Sequence, residues 1–315
     1  MSRYLSIAES ILVQPTAPFH EDAVRYEIER LLAELPHVTL ARDAFGNLLA
    51  CYRRGPAPAR YAFAAHMDHP AYVGRDFLGG VPEAYLKKKP ARQRFGVYSM
   101  WDLPAFELRR GKIYSRACDD LIGCACIVEM FYALEEAGAK CAAYGLFTRA
   151  EEVGFVGAIR LAKSGLLPKE TTVVSLECSS VKGGPVKIGG GPIIRVGDRT
   201  SIFDSEATAQ MQECAREAKL AHQRALMQGG TCEATTYALY GYRTAAMCVA
   251  LGNYHNCGPG TRIAPEYVSA QDAEGMAGLC VAMAKSRPSS ALASLRKRLE
   301  KRVGDHRKYF RKLLP

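Results

Sequence analysis

Histidines and carboxylates stand where apolar, strand-like segments end or where helix-like segments begin. These residues are His66, Asp68, Asp119, Asp120, Glu151, Glu152, Glu177 and His255. Strand ends that share one edge of a sheet lie close together in a fold. Carboxylates and imidazoles at such ends therefore predict a single site, whereas the same residue types scattered over a surface would carry no such meaning.

His66 and Asp68 are two residues apart at the end of a predicted strand. An extended chain places side chains at this spacing on the same face of a sheet. A metal-bound histidine commonly donates its second ring N–H to a carboxylate, which fixes the tautomer, and Asp68 is placed for that contact. The pair alone also fits a surface histidine beside an aspartate in a turn.

Three further segments carry acids. Asp119 and Asp120 begin a helix-like segment, where they either complement the helix dipole or bridge two divalent cations. Glu151 and Glu152 follow an apolar strand, and two adjacent like charges near a core are costly unless a cation or a proton offsets them. A metal ligand beside a general base would meet that condition. A solvated turn at a strand end is the alternative for this pair and for Glu177.

His255 completes the set from a loop that also contains Asn253, Asn256 and residues 258–260, Gly-Pro-Gly. Two histidines, three carboxylates and one additional acid match a hydrolytic site that holds two cations about 3.5–4 Å apart. The sequence therefore predicts metal-assisted hydrolysis at this site.

Strand-like and helix-like stretches alternate around these segments. The predicted helices span residues 3–13, 21–34, 120–137, 155–164, 206–226 and 271–284, and the predicted strands span residues 38–40, 48–52, 61–65, 142–147, 171–176 and 244–251. This alternation predicts an α/β fold with a mixed, mostly parallel sheet that is flanked by helices.

Residues 74–115 interrupt the alternation. They contain Gly79 and Gly80, three consecutive lysines, three prolines and the only tryptophan of the chain, Trp101. We interpret them as a small inserted β-rich module that serves as a lid or an interface. The catalytic domain would then comprise residues 1–73 and 116–287.

Composition limits the class of protein. Of the 315 residues, 48% are hydrophobic and 23% are charged, as in ordinary globular enzymes. No apolar segment approaches the roughly 20 residues that span a bilayer, and Glu9 interrupts the N-terminal segment where a secretory signal would stay apolar. The eleven cysteines form no CxxC pair and are spread over predicted strands and helices, which indicates reduced thiols and a cytoplasmic protein.

The net charge of +10 is concentrated at the C-terminus, where residues 284–315 hold eleven Lys or Arg against two acids. Leucines at helical spacing accompany these charges and predict a basic C-terminal helix over residues 288–315. Such a helix either docks through its leucines or binds an acidic partner such as nucleic acid or a membrane surface. Docking is favoured because nothing else resembles a nucleic-acid module, so neither nucleic acid nor a membrane is expected as a partner.

Several motifs carry a resemblance that runs nearly end to end. They are residues 16–21, residues 43–47, His66-x-Asp68, Asp119-Asp120-x-x-Gly123, Glu151-Glu152-Val-Gly154, residues 189–192 and residues 229–231. The chain resembles the co-catalytic zinc peptidases of the M42, M28 and M20 group. It is most similar to the M42 branch of glutamyl aminopeptidases and endoglucanase-like proteins, and the paired acids are the most specific part of the match.

The resemblance implies a two-metal site whose ligands are assigned by position. His66 and Glu177 would bind one ion, Glu152 and His255 the other, and Asp119 would bridge the two ions. A cis peptide bond to Asp120 is implied as well. The implied metal is zinc, with cobalt and manganese as alternatives. Glu177 stands where M42 members often have Asp.

The same resemblance implies aminopeptidase activity on a peptide substrate. Zinc lowers the pKa of a bound water to around 7. Glu151 would be the general base that takes the proton and passes it to the leaving amine, and Asp68 would support His66. A homo-oligomer is also implied, although residues 74–115 are shorter than the usual insert of the family.

Two other functions stay open at this stage. An N-acyl amino acid or peptide deacylase would use the same scaffold and the same site. A catalytically inactive binding protein would keep the fold and act through its basic tail. Comparing peptides that have a free amine with N-acylated peptides separates the two enzymatic alternatives.

Overall fold

The structure is a computed structural model and describes residues 1–182, 185–287 and 291–310, except for the side chains at positions 291 and 294. Its strands are β1 (Val38–Arg42), β2 (Leu48–Arg53), β3 (Tyr61–His66), β4 (Ala71–Val73), β5 (Asp76–Leu78), β6 (Arg92–Phe95), β7 (Tyr98–Trp101), β8 (Glu107–Arg109), β9 (Lys112–Ser115), β10 (Ala142–Thr148), β11 (Thr172–Ser180), β12 (Ile193–Gly197), β13 (Gln223–Leu226), β14 (Thr244–Leu251) and β15 (Glu266–Ser269). Its α-helices are α1 (Arg3–Leu12), α2 (Asp22–Leu32), α3 (Glu83–Leu86), α4 (Leu121–Glu136), α5 (Val156–Ser164), α6 (Ser205–Glu217), α7 (Glu233–Leu239), α8 (Ala270–Lys285) and α9 (Ala291–Phe310). Short 3-10 turns follow β14 at Tyr254–Asn256 and Pro259–Thr261.

The largest sheet has the strand order β1-β2-β10-β3-β11-β14-β12-β13. Its central strands β10, β3, β11 and β14 run parallel to one another. On either side, β2 and β12 join this centre antiparallel, β1 is antiparallel to β2, and β13 is parallel to β12. A mixed sheet with a parallel centre and flanking helices confirms the predicted fold class.

Helices cover the central strands on both faces, and the side chains of β3 show how. Phe63 and Ala65 pack in one apolar cluster with the residues of α4, whereas Ala62 and Ala64 pack in another with residues of α5 and α7. Successive side chains of a strand point to opposite faces, so the two clusters lie on the two sides of the sheet. Every residue of β3 is buried, as expected for a parallel strand between two helical layers.

Helix α4 connects the core to the carboxyl edge of the sheet. Its sequence is apolar on all sides and most of its residues are buried, which is typical of a helix packed between a sheet and further helices. The Asp120 side chain caps its first turn by accepting the backbone N–H of Gly123 at 3.2 Å. This cap fixes where the Asp119–Asp120 segment ends and where the helix begins.

The predicted helix over residues 206–226 is wrong in its second half. Helix α6 ends at Glu217, and Lys219 adopts a left-handed conformation with φ of 54°. Residues 223–226 then form β13, which pairs with β12 at the edge of the sheet. The open edge of β12 supplies hydrogen bonds that local helix propensity cannot match.

The segment from residue 71 to residue 115 is built from short antiparallel strands. Four of them form a sheet in the order β5-β4-β7-β6, and Tyr72, Phe77 and Trp101 pack their rings together with centroids 4.9–5.5 Å apart. The other two, β8 and β9, extend β15 into a three-stranded sheet. The division into residues 1–73, 74–115 and 116–287 stays a prediction.

Helix α9 carries the basic C-terminal charges and contacts α6. Its apolar stripe becomes more exposed along the helix, from 37% at Leu292 to 58% at Val303. The remainder of the predicted C-terminal helix, residues 288–290 and 311–315, lies outside the described residues. None of the helices that the structure describes is long and apolar enough to cross a membrane.

Candidate metal centre

The candidate residues meet at the carboxyl edge of the parallel strands. His66 ends β3, Glu177 lies in the second half of β11, Glu151 and Glu152 follow β10, and His255 follows β14. A cavity of about 660 Å³ opens at this edge, and its walls include His66, Asp119, Glu151, Glu152, Glu177 and Tyr254. His255 and Asp68 are buried behind these walls. The structure therefore brings together side chains that are nearly 190 residues apart in the sequence.

Asp119 lies at the centre of the cluster, with one imidazole on each side of its carboxylate. The Nε2 atom of His66 is 3.7 Å from Oδ1 of Asp119, and the Nε2 atom of His255 is 3.9 Å from Oδ2. Nε2 of His255 is also 3.2 Å from Oε1 of Glu152. The peptide bond between Asp119 and Asp120 is cis, as the resemblance implied.

Several groups of potential metal ligands contain Asp119, and two of them correspond to the predicted ion sites. His66, Asp119 and Glu177 form one group, and Asp119, Glu152 and His255 form the other, with ligand atoms within 4.8 Å of one another in each. The Oε1 atom of Glu152 and the Nε2 atom of His255 are buried and face each other at 3.2 Å, but neither makes a hydrogen bond of acceptable geometry. Imidazole nitrogens and carboxylate oxygens suit Zn²⁺ and related divalent ions, so the residues present fit a pair of such ions.

Hydrogen bonds fix the ring tautomer of both histidines. The Nδ1 atom of His66 donates to the backbone carbonyl of Asp68 at 3.0 Å, and Nδ1 of His255 donates to the backbone carbonyl of Gly80 at 3.0 Å. Nδ1 is thus the donor in each ring, and Nε2 faces Asp119, where it would offer its lone pair to a bound cation. This is the arrangement that metal-binding histidines use.

The carboxylate of Asp68 has a different contact from the one that the sequence predicted. Its Oδ1 atom is 3.6 Å from Nδ1 of His66, and the histidine is held by the Asp68 carbonyl group instead. The carboxylate accepts the backbone N–H groups of Glu151 and Glu152 at 2.9 and 3.1 Å. Asp68 thus connects the segment of His66 to the segment of the two glutamates.

The acids of the cluster are buried and lie close to one another. Both conditions act to raise the pKa of a carboxyl group. Burial raises the pKa of Glu151 well above its ordinary value, and the neighbouring carboxylates of Glu152 and Glu177 add to this effect against the opposing charge of His66. Burial also raises the pKa of Glu177 to about 8, and the charge of Asp119 adds to it. Cations would remove this repulsion, as in other carboxylate clusters that bind metal.

For the two imidazoles, burial and the neighbouring carboxylates change the pKa in opposite directions. Burial acts to lower the pKa of His255, but the carboxylate of Glu152 outweighs it and raises this pKa to about 10. For His66, too, burial lowers the pKa, and the carboxylates of Glu151 and Asp119 raise it well above the ordinary value. Both rings thus sit in a strongly negative environment, which also favours a bound cation.

Sequence reasoning missed two buried residues that hold Asp119 in place. The Nδ1 atom of His69 donates to the backbone carbonyl of Asp119 at 2.7 Å. Glu266, the first residue of β15, accepts the backbone N–H of Asp119 at 3.1 Å. His69 directly follows the His66-x-Asp68 motif and could have been noticed there, whereas nothing around Glu266 marks it in the sequence.

Sequence reasoning also missed Arg195 on β12, which lines the same cavity. Its side chain is buried, its Nη1 atom donates to Oγ of Ser179 at 3.3 Å, and its Nε atom has no hydrogen-bond partner. Lys182 and the loop at Gly229 also line the cavity. The lining of the cavity therefore includes cationic side chains as well as the acidic cluster.

The β-rich segment holds the loop that carries His255. Besides the Gly80 carbonyl, the hydroxyl of Tyr85 donates to the carbonyl of Gly258 at 3.0 Å, and Nζ of Lys88 donates to the carbonyl of Gly260 at 3.1 Å. Within the loop, His255 has a left-handed backbone conformation with φ of 52°. Such conformations are uncommon for residues with a side chain and persist where the surroundings hold them.

Comparisons with known proteins agree with this architecture. In solved structures, an aminopeptidase from the archaeon Desulfurococcus kamchatkensis superposes with a TM-score of 0.77 at 19% identity over 93% of this chain and 97% of that chain. The TET1 peptidase of Pyrococcus horikoshii superposes with a TM-score of 0.75 at 19% identity over 90% of this chain and 100% of that chain. At these identities the likeness shows the shared fold.

Sequence comparison identifies the family. A protein of Acetivibrio thermocellus called "Putative aminopeptidase" is 30% identical over 129 residues, which are 39% of this chain and 38% of that relative. The match thus spans well under half of the relative's length. Residues 88–263, more than half of the chain, match the family described as M42 glutamyl aminopeptidase. The chain therefore belongs to the M42 glutamyl aminopeptidase family.

Proposed function

We propose that this protein is a binuclear metal-dependent aminopeptidase. The observation that carries the proposal is the carboxylate of Asp119, which has the Nε2 atoms of His66 and His255 at 3.7 and 3.9 Å from its two oxygens. His66 and Glu177 would hold one ion, Glu152 and His255 the other, and Asp119 both. This is the ligand set that the resemblance to the M42 family implied.

Two bound divalent ions would act as Lewis acids that make a water acidic near pH 7 and polarise the carbonyl group of the substrate. We propose zinc, with cobalt and manganese as alternatives, because the donor set of two imidazoles and three carboxylates suits all three. Side chains of the protein itself would transfer the proton and bind the substrate.

Glu151 is the proposed general base. Its carboxylate lines the cavity, and Oε2 lies 4.0 Å from Nε2 of His66, next to the space between the two ligand groups. The backbone hydrogen bond to Asp68 holds it there. A carboxylate in this position takes a proton from the attacking water and returns it to the departing amine, a role that requires a pKa close to the working pH.

The substrate would enter the cavity with its N-terminal residue facing the acidic cluster. A free α-amine is positively charged and would be stabilised by the carboxylates that line the cavity. Arg195 and Lys182 line the same cavity and supply cationic groups that would face an acidic side chain or the peptide carbonyl groups of the substrate. For this reason glutamyl and aspartyl substrates belong in the test panel.

We also propose a homo-oligomer in the cytoplasm. The Pyrococcus horikoshii TET1 peptidase is described as assembling into a tetrahedron or a large octahedral shell, and another solved TET1 structure is described as a dodecamer. All eleven cysteines of this chain are free thiols, which suits a reducing compartment. Light scattering coupled to size-exclusion chromatography measures the assembly directly.

The experiment combines metal analysis with a substrate panel. The purified protein is stripped with a chelator, reloaded with Zn²⁺, Co²⁺ or Mn²⁺, and assayed on leucyl, lysyl, glutamyl and aspartyl anilides and on their N-acetylated counterparts. We expect two metal equivalents per chain and hydrolysis of the free-amine substrates only. Hydrolysis restricted to N-acylated substrates would establish the deacylase instead. No hydrolysis of either kind with two ions bound would favour a binding protein.

A further inference from the structure

Glu266 is a fully buried glutamate for which the sequence predicted no role. It is the first residue of β15 and is 0% exposed. Its Oε2 atom accepts the backbone N–H groups of Cys118 and Asp119 at 2.8 and 3.1 Å, and its Oε1 atom accepts the backbone N–H of His255 at 2.8 Å. Three backbone donors from two distant segments thus converge on one side chain.

The two segments that meet at Glu266 carry ligands of the same proposed ion. Asp119 stands just before α4, and His255 lies in the loop after β14, so no local structure sets the distance between them. β15 pairs with β9 with Glu266 opposite Ser115, which places its carboxylate beside the segment that leads to Asp119. The carboxylate of Glu266 therefore connects the segment of Asp119, the ligand proposed for both ions, to the segment of His255, a ligand proposed for one ion.

We propose that Glu266 is a positioning residue that sets the spacing between Asp119 and His255 and thereby the affinity for the ion held by Glu152 and His255. This inference rests on the proposed two-ion function. The other proposed ion depends less on it, because His66 is held by the Asp68 carbonyl group and Glu177 by its own strand. The shared ligand Asp119 is also held independently, by the hydrogen bond from His69 to its backbone carbonyl.

The contact requires a carboxylate and not just a polar side chain of the same size. Both oxygens of Glu266 accept hydrogen bonds from N–H groups, at opposite ends of the carboxylate. A glutamine has one acceptor end and one donor end. Its NH₂ group would face either the N–H of His255 or the N–H groups of Cys118 and Asp119, so one segment would be released. Residues that orient metal ligands in this way typically change metal affinity by about 10- to 100-fold when they are replaced.

A buried carboxylate of this kind could also act on stability alone, and the chain offers a matched control. Asp272 in α8 is 1% exposed and accepts the backbone N–H groups of Gly189 and Gly191 at 2.7 and 2.9 Å. It holds backbone as Glu266 does, yet the segment that it holds carries none of the proposed ligands. Asp272→Asn should therefore lower the melting temperature and leave metal binding unchanged.

The test titrates the stripped, full-length protein with Co²⁺, followed by its visible absorption, and with Zn²⁺, followed by calorimetry. The wild-type protein should bind two equivalents. In Glu266→Gln, the first equivalent should bind as in wild type and the second about 10- to 100-fold more weakly, with a changed cobalt spectrum at the second step. Glu266→Ala should show a larger loss. If that variant fails to fold, Glu266→Gln decides the question.

Two results would overturn the inference. One is wild-type affinity for both equivalents in Glu266→Gln, and the other is an equal loss of the second equivalent in Asp272→Asn, which would indicate general destabilisation. A wild-type protein that binds fewer than two ions would contradict the proposed function itself. The titration of the wild-type protein therefore separates a failure of the proposed function from a failure of the role of Glu266.

Discussion

The carboxylate of Asp68 accepts the backbone N–H of Glu151 at 2.9 Å, and its second oxygen accepts the backbone N–H of the next residue at 3.1 Å. This contact positions the proposed base by its main chain and not by its side chain. Asp68→Asn replaces one acceptor oxygen with an NH₂ group, which faces an N–H donor. We expect kcat/KM to fall about 10- to 100-fold. Steady-state kinetics check this, and an unchanged kcat/KM would show that the contact does not position Glu151.

Glu151→Gln removes the proposed proton carrier and keeps the shape of the side chain. We expect kcat to fall about 100- to 10,000-fold, because general acid–base groups contribute that much to a reaction. Metal content should stay at two equivalents, since Glu151 belongs to neither proposed ligand group. Elemental analysis and single-substrate kinetics on one preparation test both parts. Near-normal turnover with full metal content would assign the base to another residue.

His66→Ala should lose at least one metal equivalent and nearly all hydrolysis, because its Nε2 atom faces the shared ligand Asp119 at 3.7 Å. His37→Ala is the matched control. The His37 ring contacts Glu135 at 2.8 Å, away from the cavity, and its loss should leave both equivalents in place. Elemental analysis after gel filtration measures the difference. A His66→Ala protein that still carries two equivalents would contradict the ligand assignment.

Metal removal should make stability fall as the pH rises. Burial raises the pKa of Glu177 from 4.5 to about 8, so the folded metal-free protein holds a proton that the unfolded chain releases near pH 4.5. The stability that Glu177 contributes to the metal-free protein is fully present below pH 4.5 and is lost as the pH rises through 8. The chelated protein should therefore melt at a lower temperature at pH 8 than at pH 5, and zinc should restore stability most at pH 8. Differential scanning calorimetry at both pH values tests the sign, and a metal-free protein that is more stable at pH 8 would contradict it.

Deletion of residues 288–315 should leave peptide hydrolysis intact. Within the described residues α9 packs against α6, and none of the residues that line the cavity belongs to α9. The expected result is an unchanged kcat/KM with a small decrease in melting temperature. A collapse of activity or of solubility would mean that the tail is part of the core or of the assembly.

The sequence was sufficient to find the ligand candidates because their signal is local. His66, Glu151 and His255 each mark a point where an apolar strand gives way to polar residues, and parallel strands bring such points to one edge. The structure places all of them around Asp119. Their roles as ligands and base stay predictions until metal binding and kinetics are measured.

The supporting contacts could not be predicted because they join side chains to the main chain of distant segments. The hydrogen bonds from Cys118, Asp119 and His255 to Glu266 produce no periodicity and no spacing that a sequence pattern would show. The strand β13 was missed for a related reason. Its residues pair with β12 only because the fold leaves that edge open, whereas the preceding residues suggest a longer helix.

The hydrogen bond from His255 to the carbonyl of Gly80 has a consequence for protein engineering. Chimeras that exchange the β-rich insert between relatives would replace the acceptor that keeps this imidazole from rotating. A graft whose junctions fall inside the hairpin Arg92–Trp101 would leave that acceptor in place. Donor segments that begin at or before residue 80 would have to supply an equivalent carbonyl group, or the Nε2 atom of His255 would lose its orientation toward Asp119.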